Sequence, residues 1–161
     1  MKVLLAVYLL FMGIMNGCNI NNDVRVYLVP QNYQGPLLLI EDPNAKDSIK
    51  ISGDTILFDF RKSIVLKMRG KFIEGSYSLT NLKYYYIDSL GNKTEIPITF
   101  GNYTKIDSNK VYVYLMSSQI SSEPTSQCDL ISTPKDLLDN GKKQDKLTDS
   151  LCSKRPPNSN K

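Results

Sequence analysis

The sequence predicts an all-β protein, an antiparallel β-sandwich or small barrel, followed by a short helical and polar C-terminal segment. About seven to nine short runs rich in β-branched and aromatic residues recur at roughly 10–14-residue spacing, and turn-forming residues separate them. None of the stretches between them has the 3.6-residue apolar period of a long helix. Because a parallel α/β fold needs such helices as crossovers, the pattern favours antiparallel strands in two packed layers.

The N-terminal half contains five predicted strands. Pro30 ends the first, VRVYLV, and residues 31–35 form a turn. The second, PLLLI, is apolar on both faces, which predicts a central position in its sheet. A polar loop over residues 41–47 and a Ser-Gly-Asp turn at 52–54 separate the strands that follow. The five strands span residues 24–29, 36–40, 49–51, 55–60 and 64–68.

The next segments predict a hairpin and a last strand. Residues 83–88 and 94–100 flank the Ser-Leu-Gly-Asn turn at 89–92, which is a hairpin signal. Pro97 cannot donate to a sheet, so the second arm is predicted to be an edge strand or to contain a bulge. Residues 110–116, KVYVYLM, alternate regularly and form the last clear strand.

After Gln119 the composition changes to Ser, Pro, Thr and charged residues. Thr133 and Pro134 suit the N-cap and first position of a helix, which Gly141 can close. The predicted organisation is a signal peptide, a polar tether, a β-sandwich domain, a polar segment with a short helix, and a disordered tail, over residues 1–17, 18–23, 24–120, 121–152 and 153–161.

The first seventeen residues have the pattern of an export signal. Lys2 precedes an apolar stretch over residues 3–15, VLLAVYLLFMGIM. These roughly 13 residues form about 20 Å of helix, whereas a bilayer core of about 30 Å needs about 20 residues. The stretch is therefore typical of a cleaved signal peptide rather than of a transmembrane helix.

Gly17 and Cys18 follow this stretch and resemble a bacterial lipobox, the cleavage and lipidation motif of lipoprotein precursors. Met15 and Asn16 depart from the residues most common in that motif. The resemblance implies that the Cys18 thiol receives a diacylglycerol and that cleavage makes Cys18 the N-terminus, which would hold the protein in a lipid bilayer. The expected location is the outer membrane, on its periplasmic or cell-surface side. An ordinary secretion signal and an uncleaved anchor are the alternatives.

The net charge of +4 is unevenly distributed. Residues 18–132 carry twelve basic and twelve acidic side chains, whereas residues 133–161 carry seven basic and four acidic ones. A neutral body without a basic stripe argues against a nucleic-acid partner, because such binding depends on neutralising phosphates.

The cysteines predict one disulfide. If Cys18 carries lipid, Cys128 and Cys152 remain and can pair in an oxidising envelope. A loop of about 24 residues closed in this way would contribute roughly 3 kcal/mol. The alternative is two free thiols. Two cysteines and no histidine do not make a zinc site, and neither a metal nor another cofactor is expected.

One family resemblance covers residues 24–100. The opening VYLVPQNYQGPLLLIED is similar to a group of small Bacteroidota lipoproteins, which have a strand ending in Ile-Pro or Val-Pro, then a Tyr and a Gly two residues apart, then an apolar strand. Here these are Val29, Pro30, Tyr33, Gly35 and residues 37–40. The group is itself a domain of unknown function, so the resemblance implies no chemistry. Tyr33 and Gly35 also have a structural interpretation, in which Gly permits the turn and Tyr packs over it.

No catalytic constellation is apparent, and an enzyme is not expected. The absence of histidine excludes Ser-His-Asp and Cys-His arrangements, and there is no Gly-rich phosphate loop. Among ten tyrosines, Tyr33, Tyr84 and Tyr86 are candidates for an aromatic binding surface, with ordinary core packing as the alternative.

Two non-enzymatic functions therefore remain. The first is a membrane-tethered binding or interaction module of the cell envelope, with a protein or glycan partner. The alternative is an inward-facing structural lipoprotein of the envelope. A hydrolase using two carboxylates ranks third.

Overall fold

The structure is a computed structural model and describes residues 23–71, 79–99, 106–119 and 125–139. Two five-stranded sheets pack face to face. The strands are β1 Val24–Pro30, β2 Gly35–Glu41, β3 Lys50–Ser52, β4 Thr55–Asp59, β5 Val65–Met68, β6 Leu82–Ile87, β7 Lys93–Ile96, β8 Ile98–Thr99, β9 Tyr112–Gln119 and β10 Ser126–Ser132, and a 3-10 turn covers Leu79–Asn81.

The predicted all-β sandwich is confirmed, and neither sheet closes into a barrel. The first sheet has the order β3-β4-β1-β6-β7, and the second has the order β5-β2-β10-β9-β8. β2 is an interior strand, as predicted. The sheets are mixed rather than antiparallel, because β1 pairs in parallel with both β4 and β6, and β2 pairs in parallel with β5. The physical reason is that the chain crosses between the sheets after β1, so it re-enters the first sheet from the same end.

The sandwich extends beyond residue 120, where the sequence placed its end. β10, with the sequence SQCDLIS, lies between β2 and β9 and is antiparallel to both. This strand was missed because its composition is polar. Its polar residues Gln127 and Asp129 share the inward face with Ile131, and the interior supplies their hydrogen-bond partners.

The predicted helix start is confirmed at the end of β10. Residues 134–139 are helical. The Asp136 backbone N–H donates to Thr133 Oγ1 at 3.0 Å, and the Thr133 hydroxyl donates to Asp136 Oδ2 at 2.7 Å. Thr133 therefore caps the helix reciprocally with Asp136. The predicted helix end at Gly141 and the tail over residues 153–161 lie outside the described residues.

Pro97 marks the point where the chain changes sheets. β7 forms the predicted hairpin with β6 at one edge of the first sheet. β8, directly after Pro97, pairs with β9 at one edge of the second sheet. The Pro97 carbonyl accepts from the Val113 N–H at 2.9 Å. The predicted long second arm is thus two short edge strands, and proline fits there because an edge residue can lack a donor.

The core lies between the two sheets and is aromatic on the side of the first sheet. Register places Tyr27 of β1 between Phe58 of β4 and Tyr84 of β6. The Tyr27 ring stacks on the Tyr84 ring with centroids 4.3 Å apart and planes 11° apart. From the second sheet, Leu37, Leu39, Val113 and Ile131 complete the core.

Candidate functional site

A buried polar network joins the two sheets across this core. Tyr84 Oη donates to Asp129 Oδ2 at 2.7 Å, and Gln127 Nε2 donates to the same oxygen at 2.7 Å. Gln127 Nε2 also lies 3.3 Å from Tyr27 Oη. Because Gln127 and Asp129 are two residues apart in β10, both point inward at the two stacked tyrosines.

The environment of Asp129 perturbs its acidity. Burial raises the pKa of its carboxyl to about 6, while the hydrogen bonds from Tyr84 and Gln127 lower it. The carboxyl is therefore mostly ionised at neutral pH and becomes protonated in mildly acidic conditions. Asp129 is only 4% exposed, so the network has no solvent-facing surface in this conformation.

Two more charged residues face the interior at one end of the sandwich. Arg25 lies two residues before Tyr27 in β1, and Glu41 lies two residues after Leu39 in β2, so each shares the inward face of its strand. Both charged residues are buried. Because a short turn joins β1 to β2, the start of β1 and the end of β2 lie at the same end of the molecule. We call it the tether end, since the predicted tether is followed directly by β1.

The sequence did not single out Arg25, Gln127 or Asp129 as site residues. Arg25 carried a detectable signal, because it occupies an inward position of a predicted strand, where an apolar residue is the rule. Gln127 and Asp129 carried no such signal, since the strand that contains them was not predicted.

The structure places Tyr86 against Tyr33 and puts Tyr84 on the same face of β6 as Tyr86, but it leaves only Tyr33 half-buried and does not expose the three as a surface. Tyr84 is fully buried, and Tyr86 is 9% exposed. Tyr86 Oη donates to the Tyr33 carbonyl at 2.7 Å, and burial raises the pKa values of Tyr33 and Tyr86 to about 12. The aromatic binding surface is therefore not formed, and the packing interpretation fits. The physical reason is that side chains alternate between the two faces of a strand. Tyr84 and Tyr86 share the inward face of β6, and the half-exposed Tyr85 lies on the outward face.

The Tyr33 and Gly35 pair shapes the β1–β2 turn. Tyr33 Oη donates to the Pro36 carbonyl at 2.7 Å. Gly35 has a φ of +139°, and a Cβ atom there would lie 2.8 Å from Tyr33 Oη. The glycine therefore permits both the backbone conformation and the close approach of the phenol.

Of the predicted cysteine sites, only Cys128 is described. It points outward from β10, is buried, and is disulfide-bonded. Cys18 and Cys152 both lie outside the described residues. The lipidation of Cys18 and the pairing of Cys128 with Cys152 therefore stay predictions. Within the described part of the chain, no three acidic or cysteine side chains come close enough to hold a metal ion.

The end of the sandwich opposite the tether end, called the distal end, carries two exposed leucines. Leu90 lies in the β6–β7 turn and is 86% exposed, and Leu138 lies in the helical residues after β10 and is 80% exposed. Asp88 accepts hydrogen bonds from the Leu90 and Asn92 N–H groups, each at 2.8 Å, and so stabilises the β6–β7 turn. In the ranges that the structure describes, no other large apolar side chain is as exposed as these two.

The fold and its interior define a two-sheet β-sandwich with a buried tyrosine–carboxylate network. Residues 21–130 match a family of unknown function, DUF6843, and the chain belongs to this family. The match includes the whole segment on which the resemblance to Bacteroidota lipoproteins depends, residues 24–100, but it names neither that phylum nor the Tyr-x-Gly motif.

The chain is also similar to a solved structure. A Bacillus anthracis protein provisionally described as a lipoprotein is 17% identical, with 69% of this chain and 71% of that chain covered and a TM-score of 0.46. No curated protein matches the chain. Across the described residues, the structure contains no helix that is both long and apolar enough to cross a membrane.

Proposed function

We propose that this protein is a lipid-tethered, non-enzymatic binding module of the bacterial cell envelope, which meets a protein or glycan partner at its distal end. The observation that carries the proposal is that the predicted tether and the exposed leucines lie at opposite ends of the sandwich. The predicted tether joins β1 at the tether end, whereas Leu90 and Leu138 are exposed at the distal end.

This polarity suits a module that reaches away from a membrane. β1 begins at Val24, six residues after Cys18. A tether of that length spans at most about 20 Å when fully extended, so the tether end stays near the bilayer. The loops at the distal end are then the part of the fold most available to a partner, and loops on a rigid scaffold commonly carry binding residues.

The surroundings of the acidic residues support a non-enzymatic role. Asp129 and Glu41 are buried inside the sandwich. Asp59 forms an exposed ion pair with Arg61 at 2.6 Å, and the hydrogen bond from that guanidinium lowers the pKa of Asp59. None of these three carboxylates combines solvent access with the raised pKa that a general acid needs.

The first test is membrane attachment and orientation. Cys18→Ala should release the protein into the soluble fraction, whereas the parent chain should remain with membranes until detergent is added. Protease added to intact cells should cleave a domain that faces outward, and protection until lysis would instead favour an inward-facing structural role. A Cys18→Ala protein that stays as firmly membrane-bound as the parent would refute the lipid tether.

The second test addresses the distal end. Photo-crosslinking side chains at positions 90 and 138 should form adducts on cells, whereas the same side chain at the exposed positions 51 and 116, away from the distal end, should not. Equal adduct yields at all four positions would show that the distal end is not the contact surface.

A further inference from the structure

The outward face of the second sheet carries a buried apolar patch. Leu130 of β10 lies between Pro36 of β2 and Tyr114 of β9, and Cys128 lies opposite Leu38. These five residues, called the outer patch, alternate with the inward-facing core residues of the same strands. Leu130 is 2% exposed, Cys128 3%, Tyr114 4% and Leu38 7%. An outward sheet face this dry must be covered by another part of the chain.

The middle of the outward face of the first sheet is more exposed to solvent than the outer patch. Val26, Leu57 and Tyr85 are only half-buried there, and Lys83 is exposed. The outer patch also has an open rim, because Met116 of β9 is 46% exposed. The covering is therefore local to the outer patch and centred on Leu130 and Cys128.

We propose that the C-terminal segment, residues 140–161, lies across the outer patch and is fastened there by a disulfide between Cys128 and Cys152. Cys128 is disulfide-bonded, and the chain contains only two other cysteines, Cys18 and Cys152. A Cys18 thiol that carries diacylglycerol is unavailable for a disulfide. In this step the inference rests on the proposed lipid tether, and Cys152 is then the partner.

Chain length supports the same partner independently of the lipid. Cys152 is thirteen positions after Asp139, a stretch that spans about 43–47 Å when fully extended. Cys128 is only about four strand residues, or roughly 13 Å, from the end of β10. The route from Cys18 is much tighter. Cys18 is five positions before Asp23, which gives it a reach of about 17 Å. It would have to cross the roughly 10 Å between the two sheets and then reach the far face of the second sheet.

The segment has the composition of such a cover. It is polar and basic overall, yet Leu147 and Leu151 stand close to Cys152. A disulfide at Cys152 would bring these two leucines to Leu130 and Leu38 while the lysines remain in water.

The bond forms by ordinary thiol–disulfide exchange. The Cys128 and Cys152 thiols lose two protons and two electrons in forming one S–S bond, and a protein disulfide of the oxidising envelope accepts both electrons and becomes a dithiol. The bond therefore also requires export, which the predicted signal peptide provides.

A disulfide map of the full-length chain purified from membranes tests the partner without any variant. Non-reducing tryptic digestion with mass spectrometry should yield a peptide that links Cys128 to Cys152. A Cys18–Cys128 peptide, or an unmodified Cys152 thiol, would overturn the proposal. The same map reads Cys18 separately. A Cys128–Cys152 link with an unacylated Cys18 would refute the lipid tether and leave the covered patch standing.

Cys152→Ala tests the cover itself, with Cys18→Ala as the matched control. Oxidative footprinting should label Tyr114 several-fold more in Cys152→Ala than in Cys18→Ala, while the core residue Tyr84 stays protected in both. The folding equilibrium constant of Cys152→Ala should fall roughly a hundredfold or more, as expected for opening a loop of about 24 residues. If Cys152→Ala does not fold, mild reduction of the unaltered chain gives the same comparison. Unchanged protection of Tyr114 after the bond is broken would refute the role of the disulfide.

Discussion

Asp129 is a single residue on which both the packing and the pH response of the interior depend. Its Oδ2 accepts from Tyr84 and Gln127, so one oxygen of β10 fixes side chains of both sheets. A shift of β10 by one residue would turn Gln127 and Asp129 to the outer face and leave the Tyr84 hydroxyl facing apolar groups. The network therefore favours one strand register over its neighbours, in addition to any stability that it supplies.

The raised pKa of Asp129 predicts a specific pH dependence of stability. The folded chain binds this proton more tightly than the unfolded chain, whose aspartates titrate near 3.8. The contribution of Asp129 to the free energy of unfolding therefore falls as the pH rises from about 4 to about 6, by up to about 3 kcal/mol. Asp129→Asn should remove this slope, because an amide oxygen can accept both hydrogen bonds without titrating. Urea unfolding between pH 4 and 8 measures the slope.

Asp88→Asn is a suitable control, because hydrogen bonds from Asn92 lower the pKa of Asp88. The contribution of Asp88 has the opposite sign and is lost only as the pH falls below about 4, so Asp88→Asn should leave the decline between pH 4 and 6 unchanged. Identical slopes for the parent chain and Asp129→Asn would show that Asp129 does not titrate in this window.

The two tyrosine hydroxyls should differ in importance. Tyr84→Phe leaves the buried Asp129 carboxylate with one donor fewer and should cost about 1–3 kcal/mol at pH 7. It should also raise the pKa of Asp129 further, because a hydrogen bond that lowers it is lost. Tyr27→Phe removes a contact of 3.3 Å or more to Gln127 and should cost less. Thermal unfolding at pH 5 and pH 7 separates the variants, and a larger loss for Tyr27→Phe would contradict this ranking.

Sequence reasoning reached some of these residues and missed others. Alternation within a strand predicts that Tyr84 and Tyr86 share a face, but it does not say whether that face is dry. The network depends on a contact between Tyr84 and Asp129, which are 45 residues apart. Without β10, nothing in the local pattern distinguishes a buried aspartate from a solvated one.

Among the local elements, the β1–β2 turn places the two sheets against each other. Gly35→Ala should be strongly destabilising, by about 2–4 kcal/mol, because the new Cβ meets the Tyr33 phenol and the backbone has a positive φ. Gly53→Ala is the matched control. Gly53 also has a positive φ, of +57°, but a Cβ there has nothing within 4 Å, so it should cost only about 1 kcal/mol. Chemical denaturation measures both, and equal losses would mean that the Tyr33 contact contributes nothing.

The strands themselves were predicted more accurately than their pairing. The hairpin of β6 and β7, the edge position around Pro97 and the helix cap at Thr133 all follow from local residue preferences, and the structure confirms them. The parallel neighbours of β1 were not predictable in this way, because a two-residue period states which residues share a face but not which strand lies beside them. β10 was missed for the related reason that its stability comes from β2, β9 and the buried tyrosines rather than from its own composition.

At the scale of the whole molecule, the central strands of the two sheets are the first and the last of the described strands. β1 is the middle strand of the first sheet, and β10 is the middle strand of the second. The sandwich therefore cannot be completed until the chain has reached Ser132. A sequence boundary at residue 120 divides one cooperative unit, and the matched family region, which continues to residue 130, agrees with the longer domain.

This arrangement predicts sharply different effects for two N-terminal deletions. A chain that starts at Asp23 retains all of β1 and should fold with an unfolding midpoint close to that of Cys18→Ala, in the soluble fraction. A chain that starts at Gln31 loses β1 together with the buried residues Arg25, Tyr27 and Val29. The first sheet then loses the strand that joins β4 to β6, so this chain should not fold. Circular dichroism and amide hydrogen exchange on both chains measure the difference.

Cooperative unfolding of the shorter chain would mean that β1 is dispensable. Loss of folding in the chain that starts at Asp23 would mean that the preceding residues belong to the domain and not to a tether.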